Sequence, residues 1–291
     1  MNLRAVFHLV SYLLVVIALA MGLCALVGWV APDAPVDGAE RDSPAELWGM
    51  AASGVLALLV GLLVWLLTRG PIELSRRDGF GVVTFGWLAA SMAGALPYLL
   101  TGVMSHPADA LFETMSGFTT TGASVLTNLE FLPRGLLFWR GLTQWLGGMG
   151  VLVLCVAILP FLGVGGMQIY RAEMPGPSKD RLTPRIESTA KLLWAVYLLF
   201  SLAQALLLMV GGMDWYDAWS HTFTTMSTGG FSTRTASVAA FDSLYLEIVI
   251  IVFMFLAGAN FALHFRALRG KWNVHWNDPE FRFYTLFWFG S

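Results

Sequence analysis

Charge is scarce in this chain. Its 291 residues carry 17 Lys and Arg and 19 Asp and Glu, 12% in all. That is about half the usual share of a soluble protein. A soluble fold of this length could not cover its surface with so few. The net charge of −2 excludes a nucleic-acid binder held by a basic face. Cysteine is nearly absent. Cys24 and Cys155 each lie inside an apolar run, which excludes a disulfide framework and a cysteine metal cluster. No Gly-rich phosphate loop follows a strand pattern, so no nucleotide or other cofactor is expected. The first apolar run is too long for a signal peptide, and Ala-Pro-Asp-Ala-Pro at 31–35 is a poor cleavage site.

What is present is apolar: 57% of residues are hydrophobic. The chain reads as an all-α membrane protein whose solvent is the lipid bilayer. A spanning helix needs about 20 apolar residues. Six stretches qualify, at 6–30, 47–68, 80–101, 140–162, 190–212 and 244–265, and a seventh begins near Phe281. Basic residues orient the stack. Of 17, 13 fall at Arg4 and in the segments 69–78, 163–191 and 266–282. Those segments, and the N-terminus, are expected on the cytoplasmic side. The acidic stretch 31–46 is expected outside.

This orientation leaves two apolar connections, 102–139 and 213–243, that join an outward span to an inward one. Each holds a half-length helical stretch, at 107–119 and 214–227. About 20 Å of helix does not cross a core of about 30 Å. Each is therefore expected to be re-entrant: a short helix in, extended chain back. The two are repeats. Asp109-Ala110 precedes Phe118-Thr119-Thr120-Thr121-Gly122, and Asp217-Ala218 precedes Met226-Ser227-Thr228-Gly229-Gly230. The residue numbers differ by 108 (Asp109 and Asp217). Either Gly229 or Gly230 could match Gly122, and the Asp-Ala register favours Gly230.

Irregular backbone survives at membrane depth only where protein buries it or water bathes it. A hydroxyl-rich loop closed by Gly can present successive oxygens that replace the hydration shell of a monovalent cation. The short helix aims its partly negative C-terminal end at the same place. One such run alone would be ordinary helix packing. Two copies between matched spans point to an ion pathway.

The stretches Asp109–Asn128, Trp139–Pro160, Gly165-Gly166-Met167, Asp217–Thr233 and Asn260–Arg269 resemble the TrkH branch of the Trk/Ktr/HKT cation transporters. The resemblance runs over essentially the whole chain. It implies a potassium-channel-like fold: two leading helices, then span–pore helix–filter loop–span units. The expected divisions are 1–78 for the leading helices, 79–185 and 186–276 for two pore units, and 277–291 for the start of a third. It implies K+ transport across a bacterial inner membrane, no enzyme activity, a homodimer, and a cytoplasmic nucleotide-binding partner of the TrkA type. Carried over by motif, the K+-coordinating residues are Thr120, Thr121 and Gly122, then Thr228, Gly229 and Gly230. Glu113, Thr119, Ser227 and Asn260 are supporting residues. Only two of the family's four units are here. A truncated, non-conducting product, or two copies sharing one pore, follows as an alternative. A Na+-preferring transporter is another, although both loops keep Gly.

Single residues carry paired readings. Glu113 is either a vestibule charge or a packing residue behind the loop, with His221 at the matching position. Arg140 and Gln144 are expected to brace loop backbone. Gly147-Gly148-Met149-Gly150 is either a bend or a packing surface, with packing favoured. Asn260 faces a cavity or bonds a neighbouring helix. Trp29, Trp48, Trp139 and Trp219 read as interface anchors. A hydrolase using Ser116 with His221 or His264 is the reading from another class.

Overall fold

The computed structural model describes residues 1–31, 44–70, 76–162 and 183–290, with side chains for 1–31, 47–70, 78–150 and 190–290. The acidic stretch 31–46, most of the basic stretch 163–191 and the Gly165-Gly166-Met167 motif lie largely or wholly outside the described residues. Among those described, every regular element is a helix.

Helix α1 (Leu3–Val30) is continuous over 28 residues, and the Asn2 side chain accepts a hydrogen bond from Ala5 N at its start. Helix α2 (Pro44–Leu67) returns against it. Small residues set this close approach. A Cβ on Gly54 or Gly61 would lie 3.3 Å from Ala18 O or 3.2 Å from Leu14 Cβ. Helices α3 (Arg76–Gly94) and α4 (Leu96–Leu100) form the next ascent, interrupted at Ala95 just before Pro97. Proline has no N–H for a helix interior, which accounts for the break.

Helix α5 (Pro107–Phe118) is 12 residues, about 18 Å. Helix α6 (Arg134–Leu162) follows at 29 residues, then α7 (Thr183–Val210), and the second short helix α8 (Trp215–Met226), again of 12. The two short helices therefore fall where the sequence repeat places them. Among the described residues four stretches are long and apolar enough to cross a membrane, Leu3–Val30, Leu47–Leu67, Asp78–Leu100 and Ala190–Val210, or five if the bent pair described below is one span.

The expected sixth span, 244–265, is not one straight helix. Helix α9 (Leu244–Gly258) stops, and α10 (Phe261–Leu268) leaves at 102°. Hydropathy sees a continuous apolar run, but Asn260 starts a new helix by capping it. Short α11 (Val274–Asn277) and α12 (Pro279–Gly290) complete the chain, and Tyr284 returns to α9 by donating to Phe255 O at 3.1 Å.

Two apolar clusters form the core. One joins α1, α5 and α6 around Trp139, Tyr98 and Phe118; the other joins α7, α8, α9 and α10 around Tyr197 and Phe253. Trp145 packs against both. The tryptophans divide. Trp29 and Trp48 are 71% and 74% exposed, as interface anchors should be. Trp139 is not one. It is fully buried, and its Nε1 donates to Gly94 O at 3.1 Å.

Candidate functional site: two glycine loops

Both short helices end in the same way. In the first, Thr120 N donates to Gly117 O (2.9 Å) and Thr121 N to Ser116 O (3.0 Å). In the second, Thr228 N donates to Thr225 O and Gly229 N to Thr224 O, both at 2.9 Å. This paired closure normally puts glycine at the left-handed position. Here that position is threonine, with φ +54° at Thr120 and +57° at Thr228. A β-branched residue in that region costs about 1–3 kcal/mol. Gly122 and Gly230 follow at +76° and +79°, where the missing Cβ removes the penalty. Gly229 is not left-handed. The backbone therefore matches Gly230 to Gly122.

Behind the loops the repeat continues in hydrogen bonds. Ser124 Oγ donates to Glu113 Oε1 (2.9 Å) and accepts from Leu126 N (3.1 Å). Ser232 Oγ pairs with His221 Nε2 (3.1 Å) and accepts from Arg234 N (3.0 Å). His221 Nδ1 lies 2.8 Å from Asp217 O. A carbonyl only accepts, so Nδ1 carries a proton and, in the neutral ring, Nε2 accepts from Ser232. Glu113 also accepts from Val125 N (3.0 Å) and is 0% exposed, which is the packing reading and not a vestibule charge.

Helix α6 serves both loops. Arg140 Nε donates to Glu113 Oε1 at 2.6 Å, and its Nη1 donates to Ser232 O at 3.0 Å. Its guanidinium sits 3.6 Å above the Phe231 ring. One turn on, Gln144 Oε1 accepts from Phe231 N at 3.1 Å. Both residues bond loop backbone as expected, although Arg140 reaches the second loop. Gly147 and Gly148 pack against the ends of the two short helices. A Cβ on Gly147 would run into Phe118, and one on Gly148 would come within 2.9 Å of Ser227 Cβ. Helix α6 runs through them without a break, and both are packing glycines.

The loops also touch each other. A Cβ on Gly122 would strike the Gly229 carbonyl oxygen. Farther along, Thr235 N donates to Glu130 Oε1 (2.7 Å), Thr235 Oγ1 donates to Glu130 Oε2, and Leu129 N donates to Thr235 Oγ1 (3.2 Å). Desolvation works against ionised Glu130, but the two Thr235 bonds and nearby Arg234 outweigh it and hold its carboxyl below the ordinary value. The carbonyl oxygens of Thr119–Gly122 and Ser227–Gly230 take no part in these bonds. Among the described residues no hydrogen bond is donated to any of them.

The remaining sequence candidates are placed as follows. Thr119 Oγ1 donates to Met115 O (2.7 Å) and pairs with Thr121 Oγ1 (2.8 Å). Ser227 Oγ donates to Thr224 O (3.2 Å). Asn260 is exposed and lines a cavity with Leu263, Asp278 and Tyr284. Its Oδ1 accepts from Ala262 N at 3.0 Å, at the bend. Ser116 Oγ donates to Ala123 O, His221 is bound to Ser232, and His264 Nε2 faces Leu256 O, so Ser116 pairs with neither histidine. Sequence reasoning missed the latch at the second loop. Asp214 caps α8 by accepting from Asp217 N, while the buried Asp217 carboxylate holds Thr233 Oγ1 (2.6 Å) and Arg234 (2.8 Å). The Asp-x-x-Asp pattern at 214–217 was the available signal.

A family model described as TrkH, a cation transport protein, matches residues 49–288. The chain belongs to that family. It is a family of cation transporters, not of enzymes. The Trk system potassium uptake protein TrkH of Escherichia coli K12 is 43% identical over 98% of this chain and 57% of that protein. TrkG of the same organism is 39% identical over 80% of this chain and 49% of its own length. The crystal structure of the potassium transporter TrkH from Vibrio parahaemolyticus superposes with a TM-score of 0.82 at 37% identity, covering 97% of this chain and 56% of that one. The chain thus spans about half the length of these relatives.

Proposed function

We propose that the two glycine loops form part of the wall of a K+ pathway. Carbonyl oxygens of Thr120, Thr121 and Gly122, with those of Thr228, Gly229 and Gly230, are the coordinating groups. One observation carries this reading. Among the described residues these carbonyls receive no hydrogen bond in either loop, while buried side chains hold the backbone just beyond, Glu113 at Val125 N and Gln144 at Phe231 N. Left-handed residues alternate with others at 120–122 and 228–230, in the same order in both loops. Oxygens held so can replace an ion's hydration shell. The strain at Thr120 and Thr228 is what a pre-organised site stores.

The names of the relatives support potassium as the ion. Residues 79–185 and 186–276 are then two pore units after a leading pair at 1–78, and the helix beyond 277 starts a third. Two loops are half of a fourfold ring, so further units, in cis or from a second copy, complete it. We place the protein in the bacterial inner membrane with a cytoplasmic N-terminus. A homodimer and a TrkA-type regulatory partner follow from the same family reading.

The test is Rb+ uptake by cells that lack their own K+ uptake systems and express the native gene. Gly122→Asp should abolish uptake, because its Cβ meets the Gly229 oxygen and its carboxylate enters the loop. Uptake equal to that of the unaltered protein would refute the assignment. A Na+-preferring pathway would show instead as Rb+ uptake halved by less Na+ than K+.

A further inference from the structure

We infer that Arg140 is a positioning residue that ties the two loops together and thereby sets ion selectivity. This rests on the filter reading above. Arg140 touches neither set of coordinating carbonyls, and acts through residues behind them. One arm of its guanidinium binds Glu113, whose carboxylate holds Ser124 and Val125, just after Gly122. The other arm binds Ser232 O, two residues after Gly230, and the plane covers Phe231. Arg140 and Glu113 are 3% and 0% exposed, so neither can trade its partner for water.

Behind the glycines the two loops are therefore held by one rigid fork, with the Glu130–Thr235 bonds joining them farther along. Discrimination between K+ and Na+ requires oxygens held at a set separation. A loop free to close by a fraction of an ångström accommodates the smaller ion. Lysine keeps the charge but has a single ammonium and no fork, so it cannot hold both anchors in the same geometry. Arg140→Gln strands the Glu113 carboxylate. Arg140→Gln with Glu113→Gln removes the stranded charge and isolates the loss of the tie.

The measurement is the Na+ concentration that halves Rb+ uptake, together with the amount of protein in the membrane, in cells expressing the native gene. Arg140→Lys and the Arg140→Gln, Glu113→Gln double variant should each lower that concentration about tenfold. Rb+ uptake itself should persist. Competition within twofold of the unaltered protein in both variants would overturn the inference. So would failure of both to accumulate in the membrane, since the tie would then serve folding and not selectivity. Gly122→Asp in the same cells separates the two claims. If it leaves uptake intact, the filter reading fails. If it abolishes uptake while Arg140 variants compete normally, only the tie fails.

Discussion

Replacing Gly147 by Ala tests whether α6 is a platform or a hinge. A methyl there would meet Phe118 O, C and Cα, none farther than 3.0 Å, and Phe118 is the last residue of α5. The obstacle is backbone, which no rotamer change relieves. Overpacking of this kind costs about 1–3 kcal/mol. Alanine regains about 1 kcal/mol of helix propensity over glycine. The upper half of the range applies because the obstacle is a carbonyl, so the net loss is about 1–2 kcal/mol. At about 2–4 °C per kcal/mol for a domain of this size, the melting temperature should fall by roughly 2–8 °C. Gly150→Ala is the control. Its nearest neighbour would be Trp87 Cη2 at 3.9 Å, an ordinary contact, so only the propensity gain remains. Detergent-solubilised protein, melted while monitored by size-exclusion chromatography, separates the two. Platform packing predicts Gly147→Ala below and Gly150→Ala at or above the unaltered protein. If both substitutions raise the melting temperature alike, Phe118 does not rest on Gly147 and the reasoning is wrong.

Gly122→Ala should lose more stability than Gly230→Ala in the same melt. Both take a strained φ, but only Gly122 has a neighbour, the Gly229 oxygen, in the way. Thr228→Gly should cost nothing or stabilise slightly, unlike most glycine substitutions, because relief of about 1–2 kcal/mol of left-handed strain offsets the added chain entropy. A loss of several degrees there would contradict the φ assignment. Glu130 has its carboxyl held below the ordinary 4.5, so its ties to Thr235 stabilise fully above pH 4.5 and weaken as pH falls below it. Melting profiles of the unaltered protein and Glu130→Gln should therefore be parallel from pH 7 to 5 and converge below. Convergence already at neutral pH would refute the tie. Trp139→Phe should destabilise by about 1 kcal/mol through the Gly94 carbonyl it leaves unpaired.

Local chemistry was legible in the sequence wherever it repeats. The short helices, the glycine loops and the match of Gly230 to Gly122 follow from a register that Asp109 and Asp217 already carry. What that register hides is divergence within it. Asp109 is exposed in the first turn of α5, whereas Asp217 is buried and latched to Thr233 and Arg234. The same letter at matching positions serves two purposes, because only the second loop has an arginine two residues after its serine. Hydropathy likewise reports how apolar a run is and not where it bends. Residues 244–265 are mostly apolar, and the turn at Asn260 is marked by one capping bond. Trp139 was misread for a related reason. Position near a span end is shared by interface anchors and buried tryptophans, and only a partner such as Gly94 O distinguishes them.

The bracing of the loops does not follow the repeat, and this bears on how the site is built. Helix α6 follows the first loop in sequence, yet Arg140, Gln144 and Gly148 act on the second. Helix α9 follows the second loop, yet among the described residues it gives neither loop a hydrogen bond. The second loop is thus set from the first unit as well as by Asp217 and His221 of its own. Its Gly229 rests on Gln144, its Phe231 lies under Arg140, and Ser227 rests on Gly148. A buried pair such as Arg140–Glu113 adds little net stability against apolar replacements. In the inference drawn above, its effect is to fix the register of the two loops behind their glycines. The consequence is directional: damage to α6 must disturb both loops, whereas damage confined to α9 must leave the first loop's bracing intact.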